Sequence, residues 1–98
     1  MLFVYAHPAP LTFWMGNTLL PLSLAFFSTD RTIFRIENME PYPDPKNPPP
    51  NFRQWTSERP ARYGLEVNTG RFRELGITVG ARVTLPTQLE RYKPDEGD

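Results

Sequence analysis

Cysteine is absent from the 98-residue sequence, and histidine occurs once, as His7. The chain can therefore form no disulfide, no thiolate zinc site and no cysteine nucleophile, and one histidine cannot build a multi-histidine metal site. A glycine-rich loop of the kind that binds phosphate is missing as well. From these absences we expect no metal and no cofactor.

Neither sign of charge is in excess, because 11 basic and 11 acidic residues give a net charge of zero. Proteins that bind nucleic acids need a positive field to hold phosphates, so we expect no nucleic-acid partner. The first 29 residues carry no Asp, Glu, Lys or Arg. Gly16, Asn17 and Pro21 interrupt this segment, however, and a membrane-spanning helix needs about 20 apolar residues in succession. We therefore expect no membrane span.

The compartment stays open at this stage. A signal peptide begins with positive charge, which Met1 to Tyr5 lacks. A leader encoded upstream of Met1 would place the protein in the cell envelope, and without one it would remain in the cytoplasm.

Alternating apolar residues predict a mainly β domain. Pro8 is part of a breaker that ends a first strand over residues 2–5. Pro21 marks the start or the edge of a second strand, since proline cannot donate to a sheet. A turn over 28–31 leads into a returning strand over 32–37, with Phe34 and Ile36 inward. One face of the second strand carries four apolar side chains at period two: Leu20, Leu22, Leu24 and Phe26.

The second half predicts two more strands and a helix. A strand over 62–68 places Tyr63, Leu65 and Val67 on one face, and a short helix over 70–75 ends at Gly76. A last strand over 81–85 follows. We expect a single domain over residues 1–86, a small barrel-like sheet with one short helix, and a polar acidic tail over 87–98.

Residues 41–50 include six prolines, which exclude a regular helix or a sheet strand. This proline loop is either a stiff crossover between two parts of the sheet, ordered by Tyr42, Phe52 and Trp55, or a docking segment for an aromatic groove on a partner. The crossover is favoured, because no basic residue flanks a clean docking motif.

Several stretches, in order and spacing, resemble a bacterial and archaeal family known only as domain of unknown function 192. They are Met1–Tyr5 with Phe13–Leu22, then Met39–Pro41, and Pro60–Asn68 continuing to Val83. The resemblance implies a small mainly β fold, frequent export to the envelope, and no established activity, cofactor or catalytic residue.

The sequence departs from the family pattern in three places. Gly16 stands where the family usually has lysine, and Ala81 where it usually has aspartate. Relatives also carry several tens of residues before the segment that corresponds to Met1, and those residues add strands to the sheet. A sheet edge left unpaired by that difference would invite another chain, so we expect a homodimer or a partner protein at an exposed edge.

Three groups of residues are candidates for function. Trp14, Asn17, Thr18 and Tyr63 could form a ligand-binding surface, with core packing and turn capping as the ordinary alternative. Glu40 and Glu66 could act as an acid and base pair, although a surface ion pair is the simpler reading of Glu66. A helix start with cationic side chains could bind an anion or be a solvated capping turn: Thr69, Gly70 and Arg71.

These observations favour a small non-catalytic domain that binds a peptide, a glycan or a partner protein. A small hydrolase that uses Glu40 and Glu66 is the competing function. A third possibility is a structural subunit whose exposed sheet edge and proline loop pack against other chains.

Overall fold

The computed structural model describes residues 1–48, 50 and 52–84, which form two antiparallel sheets and one short helix. The prediction of a mainly β domain with one short helix is confirmed, although the sheets of the described residues do not close into a barrel. The predicted domain limit at residue 86 and the tail over 87–98 lie outside the described residues. In chain order the elements are β1 (Leu2–Ala9), β2 (Thr12–Phe13), β3 (Leu22–Phe27), β4 (Ile33–Met39), β5 (Trp55–Thr56), β6 (Ala61–Asn68) and α1 (Arg71–Glu74).

The larger sheet has the strand order β1-β6-β3-β4, so β3 and β6 are central. β3 begins directly after Pro21, one of the two places predicted for this proline, and it buries side chains on both of its faces. Leu20, predicted to share the strand's apolar face, lies before β3 and is exposed. Leu24 and Phe26 belong to a first core, and Ala25 and Phe27 belong to a second core on the opposite face. A strand buried on both sides cannot show a simple alternation of apolar and polar residues.

The side chains of the returning strand, β4, do not point to the sides that the sequence predicts. A register irregularity lies where Phe27 pairs with Ile33 while Phe26 pairs with Arg35. Phe34 therefore packs on the first core and Ile36 on the second. The prediction that both point to one interior is wrong, because a bulge changes the face of every later residue.

The first strand is longer than predicted. β1 continues through His7 and Pro8 to Ala9, although the register against β6 is irregular between Val4 and Ala9. β1 is an edge strand, and proline is tolerated at edges and bulges because no ladder hydrogen bond is lost there. The expected break after Tyr5 is therefore wrong.

A small second sheet, which the sequence pattern did not predict, covers the first core. β2 pairs with β5, so that Phe13 lies opposite Trp55. Phe13 packs edge-on against Phe3, with ring centroids 5.1 Å apart. Gly64 on β6 makes room for this ring, since a Cβ there would lie 3.3 Å from the end of Phe13.

The segment after β6 is less regular than predicted. α1 buries Phe72, whereas Leu75, which directly follows the helix, is exposed. Gly76 adopts φ of 70°, as expected for a glycine that ends a helix. In place of the predicted strand over 81–85, residues 81–84 make one bridge, between Arg82 and Thr32, and Leu85 lies outside the described residues.

The proline loop contains no strand or helix within residues 41–48 and 50. Tyr42 is buried at its start, and its ring packs against Phe52 and Trp55. The expected ordering of this connection by three aromatic side chains is confirmed.

Candidate functional site

A line of aromatic rings connects the surface to the first core. Trp14 lies 5.6 Å from Phe52, Phe52 lies 5.9 Å from Tyr42, and Tyr42 stacks on Trp55 at 6.4 Å, all between ring centroids. Tyr42 and Trp55 are buried, whereas Trp14 is 51% exposed. We call these four residues the aromatic surface. An exposed ring that is backed by a buried stack presents a fixed apolar face to solvent.

The Tyr42 hydroxyl holds the two ends of this surface together. It accepts a hydrogen bond from the Met15 amide at 3.0 Å and donates one to the Arg53 carbonyl at 2.6 Å. Met15 follows Trp14 and Arg53 follows Phe52. One buried hydroxyl therefore fixes the backbone beside both outer rings. The sequence predicts only ring packing for Tyr42, because a hydroxyl partner 27 residues away leaves no mark on the local pattern.

Gly16 determines where the indole of Trp14 lies. A Cβ on Gly16 would come within 2.5 Å of a Trp14 ring carbon. The ring therefore occupies the space that a side chain at position 16 would need. A side chain at position 16, such as the lysine that the family resemblance implies there, would require the Trp14 ring to move.

We expect Gly16→Ala to displace the Trp14 ring and to cost about 0.5–1.5 kcal/mol through the lost contact with Phe52. Acrylamide quenching of tryptophan fluorescence should increase, since Trp14 is half-exposed and Trp55 is buried. Lys46→Ala, at an exposed position of the proline loop, is the control. Unchanged quenching in Gly16→Ala would contradict the role of Gly16.

Asn17 and Thr18 form the turn that follows Trp14. Asn17 has φ of 59°, a left-handed conformation that asparagine tolerates better than most residues, and its amide donates to the Pro45 carbonyl at 2.7 Å. The amide of Thr18 donates to Met15, and its hydroxyl donates to Gly16. Both residues are thus beside the exposed indole, and both are used in shaping the turn.

Tyr63, the fourth residue predicted for this surface, lies elsewhere. It is buried in the second core, edge-on to Phe27, and the Arg62 guanidinium lies 5.1 Å from its ring centroid. Trp14, Asn17 and Thr18 are therefore brought together, and Tyr63 is not among them.

The two candidate carboxylates differ in burial and position. Glu40 is exposed and follows Met39, the last residue of β4. Glu66 is partly buried on β6, opposite Leu24, and the residue opposite Leu24 on β4 is Glu37. The carboxylate that shares a row with Glu66 is therefore Glu37, two strands away, rather than Glu40. The sequence could not reveal this row, because it depends on the register of three strands.

Burial raises the pKa of Glu66 above its ordinary value of 4.5, and the positive Met1 amino group opposes that rise. Burial also raises the pKa of Tyr5, and the negative charge of Glu66 adds to that effect. Glu66 and Tyr5 are thus electrostatically coupled on the half-buried face of the sheet.

We expect Glu66→Gln to raise the melting temperature at pH 7. A glutamate whose pKa is higher in the folded protein favours folding at low pH, and this contribution is lost as the pH rises through the folded pKa. The advantage of the glutamine variant should therefore shrink as the pH falls towards 4.5, the ordinary glutamate pKa. Thermal unfolding across this range measures it, with exposed Glu40→Gln as the control. A lower melting temperature for Glu66→Gln at pH 7 would refute the expectation.

The predicted anion site does not have the expected cap. The residue before α1 is Gly70, with φ of 87°, and no side chain caps the helix. Thr69 and Arg71 are exposed, and the Arg71 guanidinium donates to Glu74 at 3.0 Å. A four-residue helix whose nearby arginine is already paired provides little for an anion.

A cleft that the sequence pattern does not predict lies between β4 and the turn after β5. Its volume is about 370 Å³, and neither Glu40 nor Glu66 lines it. We call it the polar cleft, and it is lined by Phe34, Arg35, Ser57, Glu58 and Arg59. Alternation along β4 puts Arg35 and Glu37 on one side of the strand, but no local pattern connects them to residues 57–59.

Ser57 holds the turn that forms one wall of the polar cleft. Its buried hydroxyl accepts from the Leu11 amide at 2.8 Å and donates to the Arg59 carbonyl at 2.7 Å. Glu58, between them, has φ of 65°. The Glu58 amide donates to the Thr56 hydroxyl oxygen at 3.1 Å. The turn is therefore anchored on both sides of a backbone conformation that glutamate rarely adopts.

The described residues contain no group of three or more His, Asp or Glu side chains arranged to hold a metal ion. The same residues include no helix of the length and apolar character required to cross a membrane.

Comparison with known proteins decides the family. Residues 1–85 match DUF192, described as an uncharacterized ACR. The chain belongs to the DUF192 family. The resemblance seen in the sequence is thereby confirmed, and no curated protein matches the chain.

Two solved structures are similar to this DUF192 chain. One, from Sinorhizobium meliloti 1021, carries the description "putative transcription regulator", with 36% identity over 84% of the chain and a TM-score of 0.69. The other is a protein of unknown function from Novosphingobium aromaticivorans, with 32% identity over 87% of the chain and a TM-score of 0.72. The chain spans 58% and 56% of the lengths of these two proteins.

Proposed function

We propose that the domain is a non-catalytic binding module that holds an apolar peptide segment of a partner protein on the aromatic surface. The observation that supports this proposal is the half-exposed Trp14 ring, seated against Phe52 on a buried aromatic stack. An aromatic side chain that is already immobile loses little conformational entropy when a partner covers it. Tryptophan is also among the residues that contribute most to protein interfaces.

The surroundings of Trp14 favour a peptide over a glycan. Leu19 and Leu20, in the same loop, are 71% and 67% exposed. A sugar site needs hydrogen-bonding groups placed around its aromatic ring, and the Thr18 hydroxyl here is directed to the Gly16 carbonyl. Exposed leucines in the loop that carries the indole suit an apolar side chain of a partner.

The test compares two probes by NMR: a blocked hexapeptide of alternating leucine and serine, and cellohexaose. We expect the peptide to give a saturable shift of the Trp14 indole N–H, and cellohexaose to give none. Trp14→Ala should weaken peptide binding at least tenfold, while Leu75→Ala, which removes an exposed leucine elsewhere, should not. A saturable shift with cellohexaose only would transfer the site to glycans, and no shift with either probe would overturn the proposal.

The open edge of the sheet supports a second candidate, a structural subunit that pairs through β1. β1 bonds to β6 on one side and is the outermost strand of the described sheet. Its eight residues include no Asp, Glu, Lys or Arg, the charges that natural edge strands use against pairing. At the opposite edge, backbone bonds from residues 80–83 cover the beginning of β4.

Light scattering over a tenfold range of protein concentration tests the second candidate. If β1 pairs with a second copy, the mass should rise towards that of a dimer, and Ala6→Lys on β1 should restore the monomer. Leu20→Lys, which adds the same charge outside the sheet, serves as the control. A monomeric mass at every concentration would exclude pairing of this chain with itself.

The hydrolase that uses Glu40 and Glu66 finds less support. Glu40 is exposed beyond the end of β4, and the polar cleft is lined by other residues. An acid and base pair needs both carboxyl groups at a set separation on one substrate.

A further inference from the structure

The polar cleft has the size and the chemistry of a site for a small anion. Its volume of about 370 Å³ is within the range of small-molecule sites. It combines an aromatic wall, Phe34, with two guanidinium groups, those of Arg35 and Arg59. It shares no residue with the aromatic surface, so it stands independently of the function proposed above.

Arg35 forms one short ion pair and one longer ion pair. Its Nη2 atom lies 2.6 Å from Glu37, whose side chain is 21% exposed. Glu58 accepts from Nη1 and Nη2 at 3.3 and 3.5 Å, longer than a charge-assisted hydrogen bond, and its side chain is 64% exposed. The Nε atom of Arg35 is buried and has no partner among the described residues. The contact of Arg35 with Glu58 is therefore the weaker of its two ion pairs, and it is the one that an incoming carboxylate could replace.

Arg59 completes the positive side of the cleft. Its guanidinium carbon lies 4.2 Å from the centroid of the Phe34 ring, which holds the charge over the aromatic wall. No carboxylate of the described residues is bonded to this guanidinium. An anion beside Arg35 would thus meet a second positive charge.

Glu58 occupies the position that such an anion would take. Its left-handed backbone, anchored by the Ser57 and Thr56 hydroxyls, directs the carboxylate towards Arg35. Backbone strain that the surrounding structure maintains is a recurrent feature of ligand sites. An exposed carboxylate with long hydrogen bonds can swing into solvent at little cost.

We propose that the polar cleft binds a small molecule that carries a carboxylate on an apolar group, and that this carboxylate replaces Glu58 on Arg35. The apolar group of the ligand lies against Phe34, and Arg59 adds charge attraction. Glu58 acts as an internal competitor that occupies the site when the ligand is absent.

The test uses phenylacetate and its neutral analogue phenylacetamide, titrated into ¹⁵N-labelled protein. We expect saturable shifts at Arg35, Glu58 and Arg59 with phenylacetate and none with the amide. Glu58→Gln removes the competitor and keeps the length of the side chain, so it should bind phenylacetate about 5–10-fold more tightly, the gain expected from removing one adjacent like charge. Glu74→Gln, at the exposed pair with Arg71, should leave the affinity unchanged.

Two further measurements identify the source of the carboxylate and test the contribution of Arg59. N-acetyl-glycyl-phenylalanine, compared with its C-terminal amide, shows whether a peptide terminus enters the cleft as a free acid does. Arg59→Gln should weaken phenylacetate binding several-fold without unfolding the protein, since Arg59 is exposed. Equal binding of acid and amide, or no saturable binding by Glu58→Gln, would overturn the proposal.

Discussion

Phe26→Ala is expected to destabilise the domain by about 3–5 kcal/mol, the usual cost of removing a fully buried phenylalanine. Phe26 is completely buried at the centre of the first core. Its ring lies 5.8 Å from that of Phe13 and 6.3 Å from that of Phe34. The substitution therefore leaves a cavity between the larger sheet and the segment that carries β2, and the main chain of a central strand cannot move to fill it.

Urea unfolding followed by circular dichroism measures this loss. Folded domains have a total stability of roughly 5–15 kcal/mol, so the variant will be near the limit of folding. Phe26→Leu, which keeps most of the volume, should lose less than half as much. Leu20→Ala, at a position that is 67% exposed, is the matched control and should change stability by less than about 0.5 kcal/mol. A loss below about 1 kcal/mol for Phe26→Ala would contradict the placement of Phe26 in the core.

Tyr42→Phe should cost about 1–3 kcal/mol, because two backbone groups lose their hydrogen-bond partner. The Met15 amide bonds to the Tyr42 hydroxyl in a buried setting, and the Arg53 carbonyl bonds to it in a partly buried one. The ring itself is retained, so the loss reports the hydroxyl alone. We also expect the loop that carries Trp14 to become more mobile, since the hydrogen bond that joins the Met15 amide to Tyr42 is removed.

Urea unfolding and hydrogen exchange of the Met15 amide measure the two effects. Exchange at Met15 should accelerate beyond the change in global stability. Tyr63→Phe is the matched control: this ring is also buried, and no backbone group of the described residues bonds to its hydroxyl. If Tyr42→Phe and Tyr63→Phe lose equal stability and Met15 exchange is unchanged, the hydroxyl does not hold the aromatic surface.

Taken together, these variants separate the core from the site. Phe26 tests the packing of the sheet, and Tyr42 tests the attachment of the aromatic surface to it. A variant that changes Trp14 quenching or Met15 exchange without a large loss of stability acts on the surface itself. In such a variant, a change in peptide binding can be assigned to the aromatic surface rather than to unfolding.

Local sequence chemistry was sufficient to predict the mainly β class, the start of β3 after Pro21, and the hairpin turn. It also predicted the common face of Tyr63, Leu65 and Val67, which all contribute to the second core. These features depend on residues close in the chain: proline lacks an amide proton, short polar side chains favour turns, and side chains alternate along a strand.

The facing of β4 and the length of β1 could not be predicted in this way. A bulge moved Phe34 and Ile36 to different cores, and the edge position of β1 allowed Pro8 within a strand. Both outcomes depend on which strand lies alongside, because the partner strand sets the register and decides whether a missing amide proton matters.

The candidate sites likewise include some residues that local sequence predicts and others that only the tertiary structure brings together. Trp14, Asn17 and Thr18 were identified from composition and adjacency, since residues within five positions of one another remain close in any fold. Hydrogen bonds between distant segments placed the Tyr42 hydroxyl between Met15 and Arg53. Strand pairing put Glu37 in the row of Glu66. The fold also brought Arg35 against Glu58. Such contacts join residues tens of positions apart, and a hydroxyl or a guanidinium gives no sign in the sequence of which distant group it will meet.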